Sequence, residues 1–92
     1  MEYEDYVKMG LDGEEPLKIV LCGGVEVEED SKVGVVSVVY ISTNKDEVER
    51  VFWKFVTENP DNYYMVYSVP FDTDLTNLEH FPSIEITKED LK

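Results

Sequence analysis

The chain has 92 residues, 42% hydrophobic and 12% aromatic, with 21 acidic against 8 basic side chains and a formal charge of −13. That length makes one small domain and leaves no room for a second, and the apolar content suffices for a core, so charge does not by itself argue for disorder. Such a polyanion repels phosphate backbones and anionic headgroups, which argues against direct nucleic-acid or membrane binding; no stretch approaches the roughly 18 uninterrupted apolar residues of a membrane span, and the acidic opening MEYEDYVK is no signal peptide.

The expectation is a single small acidic domain over residues 1–92, soluble and cytoplasmic. Cys22, the only cysteine, can form no internal disulfide, in keeping with a reducing compartment. Halophilic adaptation would bring few lysines, whereas here lysines outnumber the single arginine, Arg50.

In chain order, Glu2 to Met9 sets Tyr3, Tyr6, Val7 and Gly10 at i, i+3, i+4 and i+7, which predicts a short amphipathic helix. A helix this short holds only if its tyrosine face docks, and Gly10 with LDGEEP is expected to end it. Leu17 to Cys22 reads as a strand, Gly23-Gly24 as a tight turn and VEVEE from Val25 as the returning strand of a hairpin. A charged turn, EDSK, follows. The run VGVVSVVYI from Val33 to Ile41 is apolar on both faces, which predicts a central strand, since at an edge it would be an aggregation hazard.

Asn44 followed three residues later by Glu47 resembles a capping box, and Val48, Val51, Phe52, Phe55 and Val56 mark the buried stripe of the main helix, about residues 45–57. Pro60 and the ENPDN cluster stop it. YYMVYSV from Tyr63 reads as another strand, parallel to Val33–Ile41 and either adjacent to it or separated by one strand. LTNLEHF is long enough for one or two helical turns, SIEIT for a short edge strand, and Thr87 with Asp90 looks like the start of a helix. The expected fold class is therefore α+β: a two-layer sandwich with a mixed four- to five-stranded sheet, the main helix across one face and short terminal helices.

The candidate sites begin with FDTDL. Asp72 and Asp74, with Glu79 and His80 close behind, are the residues that would bind a divalent metal or a small molecule. The plainer reading is preferred: the aspartates stand where a helix start attracts acceptors, and the stretch lacks the turn glycine and downstream glutamate of an EF-hand. His80 and Cys22 are the only candidates for a nucleophilic pair, without an orienting partner to complete it, so no enzyme is expected and no cofactor is implied.

Glu26, Glu28, Glu29 and Asp30 form the second acidic cluster, inside a first third that carries ten acids against two lysines over residues 1–31. Gathered on one side, that surplus makes a docking surface for something basic. Trp53 lies roughly 130° from the centre of the apolar stripe on a helical wheel, so it is either covered by the N-terminal helix or exposed as a partner anchor, with Arg50 one turn earlier. The tyrosines around the last long strand lack the cationic groove of a nucleobase platform.

No motif is specific enough to name a family. The leading expectation is a small non-enzymatic binding or regulatory module of the inhibitor, immunity-protein or nucleic-acid-mimic kind, meeting a basic protein surface through Trp53, Arg50 and the 26–30 acids. The alternative is the small-molecule or divalent-metal site at Asp72, Asp74, Glu79 and His80. A homodimer through Trp53 or an edge strand is compatible with either.

Overall fold

The computed structural model describes residues 2–78, 82–89 and 91. The order of elements is α1 (Tyr3–Asp12), β1 (Leu17–Glu28), β2 (Ser31–Ser42), α2 (Lys45–Glu58), β3 (Tyr63–Val69) and a 3-10 turn over Leu75–Asn77. The three strands form one antiparallel sheet in the order β2-β1-β3, in place of the expected mixed sheet of four or five strands. Since β2 and β3 both run antiparallel to β1, they are parallel to each other with one strand between them.

α2 begins where Asn44 accepts a 3.1 Å bond from the Glu47 amide, and it buries Val48, Val51 and Phe52. Fully burying such side chains is worth about 1.5–3 kcal/mol each before entropy, so the sheet beneath α2 holds it more than propensity does. α1 lies beside α2 and contributes Val7 and Leu11 to the same core, which continues through Val20, Phe52, Tyr64 and Val66. The docked stripe differs from the expected one. Tyr6 is half exposed, and Leu11, four residues beyond Val7, takes its place.

Gly10 does not end α1. The helix continues to Asp12 and lies so close to β3 that a Cβ on Gly10 would stand 2.0 Å from the Val66 carbonyl oxygen. The glycine is required by packing, and a turn signal in sequence is here a contact signal.

The glycine pair at 23 and 24 misleads in the same way. β1 runs straight through it with no positive φ, and the hairpin turns instead at Glu29-Asp30, between the paired residues Glu28 and Ser31. Gly23 is bare because Ile84 of the C-terminal segment sits on it; Gly34 on β2 is matched by Ile86. SIEIT is thus no strand. It crosses the face of the sheet opposite the helices, held by the Tyr67 hydroxyl donating to the Ser83 carbonyl at 2.8 Å.

The longer β1 has a further consequence: β2, expected at the centre, is an edge strand. The first half of β1, paired on both sides, is buried on both faces, with Val20 in the core under the helices and Ile19 and Leu21 on the opposite face. The valine run of β2 stays largely exposed. No helix stands at the C-terminal end among the described residues; 88–89 form a turn, and Asp90 lies outside the described residues. Among the described residues no helix is long and apolar enough to cross a membrane.

Candidate functional site

β3 pairs with β1 only as far as Gly23, whereas β2 follows β1 to its end. The hairpin from Gly24 to Val35 therefore projects past the three-stranded part of the sheet as a two-stranded arm. Side chains alternate along it. Glu26 and Glu28 share one face, opposite Val33 and Ser31, while Val25 and Val27 lie on the other, and Glu29 and Asp30 form the tip. All four acids are exposed, and among the described residues none of the four is held in an ion pair. Glu29 adopts φ 49°, a left-handed conformation that costs a non-glycine residue on the order of 1 kcal/mol.

Trp53 belongs to a different place. It forms a wall of a groove of about 340 Å³ between α1 and α2, with Val7 and Leu11 below and Glu4, Lys8 and Glu49 at the rim. The indole stands edge-on to Phe52, with ring centroids 4.9 Å apart, and the residue remains 36% exposed. Asp12 and Lys45 close one end of the groove with an ion pair from helix to helix, and the lysine's hydrogen bond holds the Asp12 carboxyl below its usual range. Arg50 turns back one turn to Glu47 and lowers that carboxyl in turn. The expected partner-binding residues thus divide into an acidic arm and a tryptophan groove, and no residue of the arm lines the groove.

The DTD stretch finishes a turn. Asp74 caps Leu75–Asn77, accepting from the Thr76 amide at 3.0 Å and from the Thr76 hydroxyl at 2.6 Å, and these bonds lower its pKa. Asp72 takes the left-handed conformation at φ 51° and is exposed. Glu79 and His80, the other half of the expected metal set, lie outside the described residues, as does any pairing of His80 with Cys22. Among the described residues no three of His, Cys, Asp and Glu gather as a metal would need. Cys22 is half-buried and packs against the core from the helix side of β1.

Two features escape a reading of the sequence. The first is Lys18, only 6% exposed, whose ammonium donates to the Gly13 carbonyl (2.7 Å), the Glu15 carbonyl (2.9 Å) and the Ser68 hydroxyl (2.8 Å). The Ser68 hydroxyl in turn donates a hydrogen bond to the Gly10 carbonyl, so one cation, directly and through Ser68, satisfies the carbonyl end of α1, which has no basic residue in its last turn. The signal was a lysine on the inward phase of an alternating strand. The second is a pocket of about 490 Å³ between the sheet and the C-terminal segment, floored by Gly23, Met65, Tyr67 and Ile84.

Compared with known proteins, the chain matches no family model, no curated protein and no solved structure.

Proposed function

We propose that the protein is a non-enzymatic, cytoplasmic binding module that grips a basic protein surface with its β1–β2 arm. The observation that carries this reading is the arm itself: four exposed carboxylates, none held in an ion pair among the described residues, on a ribbon that runs past the end of β3. Carboxylates already in ion pairs, such as Asp12 and Glu47, have little left to offer a partner. Those at 26, 28, 29 and 30 keep their full field, and a projecting ribbon carries it within reach of a concave cationic site. The valines on the other face of the arm supply apolar contact once charge has brought the surfaces together.

The test compares the immobilised protein with two variants that each lose four charges. One carries Glu26→Gln, Glu28→Gln, Glu29→Gln and Asp30→Asn; the other carries Glu14→Gln, Glu15→Gln, Glu58→Gln and Asp61→Asn. The reading expects capture of basic proteins from a lysate to fall about tenfold or more for the first and less than about twofold for the second, with steep weakening by added salt. Equal losses in both would reduce the effect to net charge and defeat the proposal.

A further inference from the structure

The two outer strands of the sheet differ: the edge of β3 is covered and that of β2 is open. On the outer side of β3, α1 covers the backbone: the Tyr3 hydroxyl donates to the Tyr64 carbonyl, and Gly10 rests on the Val66 carbonyl. On the outer side of β2, no segment among the described residues pairs with the strand. It is 12 residues long, contains no proline and no acidic residue, and leaves Val36 46%, Val38 54% and Ile41 55% exposed. Edge strands of natural proteins are usually short, charged or covered. This one is long, carries a single charge at Lys32 near the hairpin tip, and has no strand paired on its outer side among the described residues.

We propose that β2 pairs with β2 of a second copy, antiparallel about a two-fold axis through Ser37, joining two three-stranded sheets into one. Three observations select a second copy over an unrelated strand. First, Val35-Val36-Ser37-Val38-Val39 reads the same in both directions, so a two-fold at Ser37 sets Val36 against Val38 of the other copy and Val35 against Val39, twice over. Self-complementarity of this kind is what an isologous contact requires.

Second, in a chain of net charge −13, β2 carries Lys32 as its only charge, so two copies can approach here with no carboxylate on either paired strand. The same two-fold sends the acidic tips to opposite ends, about 50 Å apart at roughly 3.4 Å per residue, several Debye lengths away. Third, the backbone is in phase. Glu28 and Ser31 close a two-residue turn, so from Lys32 to Val38 the even-numbered residues of β2 direct N–H and C=O outward, and Val36 and Val38 can exchange bonds with Val38 and Val36 of the other copy. Val39, left without a partner where the β1–β2 register slips, bends the strand just past this paired centre.

Association stops at two, because α1 covers the edge of β3 and the short side of β1 left beyond Gly23 carries Glu26 and Glu28. A strand of 12 residues is about half the 20–30 residues a side of a standard interface, which puts the dissociation constant in the micromolar range. The dimer does not depend on the arm's proposed partner; it presents two arms, one at each end of the joined sheet.

Sedimentation velocity of the full chain between about 5 and 500 μM tests the proposal. A 10.6 kDa species passing to one of twice that mass is expected. Val38→Lys, at an exposed position, should raise the dissociation constant at least tenfold while leaving the circular dichroism spectrum unchanged. Register is tested by disulfide trapping in a Cys22→Ala background, because Cys22 lies opposite Ser37 within the hairpin and would otherwise capture the new thiol. Ser37→Cys should oxidise to a covalent dimer and Val35→Cys should not, since only position 37 meets itself across the axis. A chain that stays monomeric to about 500 μM, assembly beyond two copies, or equal cross-linking from positions 35 and 37 would overturn the proposal.

Discussion

The two edges of the sheet teach more side by side than either does alone. Both expose a row of backbone donors and acceptors at the end of a three-stranded sheet, and the chain treats them in opposite ways. At β3 it spends ten residues of helix, a glycine at the contact and a buried lysine to bind that helix down. At β2 none of the described residues pairs with the outer side, although β2 is the longer strand, 12 residues against seven. Covering an edge is expensive for a small domain, where every ordered residue costs about 1–2 kcal/mol of entropy. An edge left bare under those conditions is one that association can complete.

Substitutions at the covered edge should break this contrast in graded steps. The largest effect belongs to Gly10→Ala: a methyl 2.0 Å from the Val66 carbonyl oxygen forces the helix off the strand, and a loss of about 3 kcal/mol in urea unfolding is expected. Lys18→Met should follow at about 2–3 kcal/mol. It keeps the stem but removes three charge-assisted bonds and strands the Gly13 and Glu15 carbonyls, so proteolysis near residues 13–16 should accelerate as well.

Tyr3→Phe removes the hydroxyl that caps the Tyr64 carbonyl, a cost of about 1 kcal/mol at neutral pH. It also changes the response to alkali. Burial, reinforced by the neighbouring Tyr63 hydroxyl, pushes Tyr3 up to about 12 from its ordinary value near 10. The folded state therefore prefers the neutral ring: this contribution is complete below pH 10 and is lost as the pH rises from about 10 to 12. Tyr63 is shifted in the same direction, by its own burial first, so the phenylalanine variant should show a shallower alkaline decline of melting temperature than the parent, without abolishing it.

The smallest effect lies on the open side. Glu29 is strained at φ 49°, so Glu29→Gly should raise stability by about 0.5 kcal/mol, the relief at the turn outweighing the entropy that glycine adds to the unfolded chain. A measured loss would mean that the glutamate side chain does something at the tip beyond carrying charge.

Legibility followed periodicity. The α2 stripe from Val48 to Val56 and its Asn44 cap could be read directly, as could β3 and the existence of α1, because local pattern and tertiary demand agree there. Glycine was the recurrent source of error. Gly10 and Gly23 each look like a break in the chain, and each is a place where another segment comes too close for a Cβ. Once Gly23-Gly24 is taken as a turn, β1 is cut in half, and the valine run becomes the natural candidate for the centre. At FDTDL, by contrast, the capping residue was recognisable from its position before a short apolar run, and Asp74 does cap that turn.

The sequence by itself determined the charge, the α+β class and the main helix with its apolar stripe, because these follow from composition and from a period of 3.6 residues. The tertiary structure alone decided which strand is central, which edge is sheathed and where the buried Lys18 ammonium goes. Those outcomes depend on contacts between segments far apart in the chain, such as Gly10 on Val66, Ile84 on Gly23 and Lys18 on Ser68. A glycine in the sequence carries no mark of the neighbour that requires it, and an alternating strand reveals its two faces without revealing what will cover them.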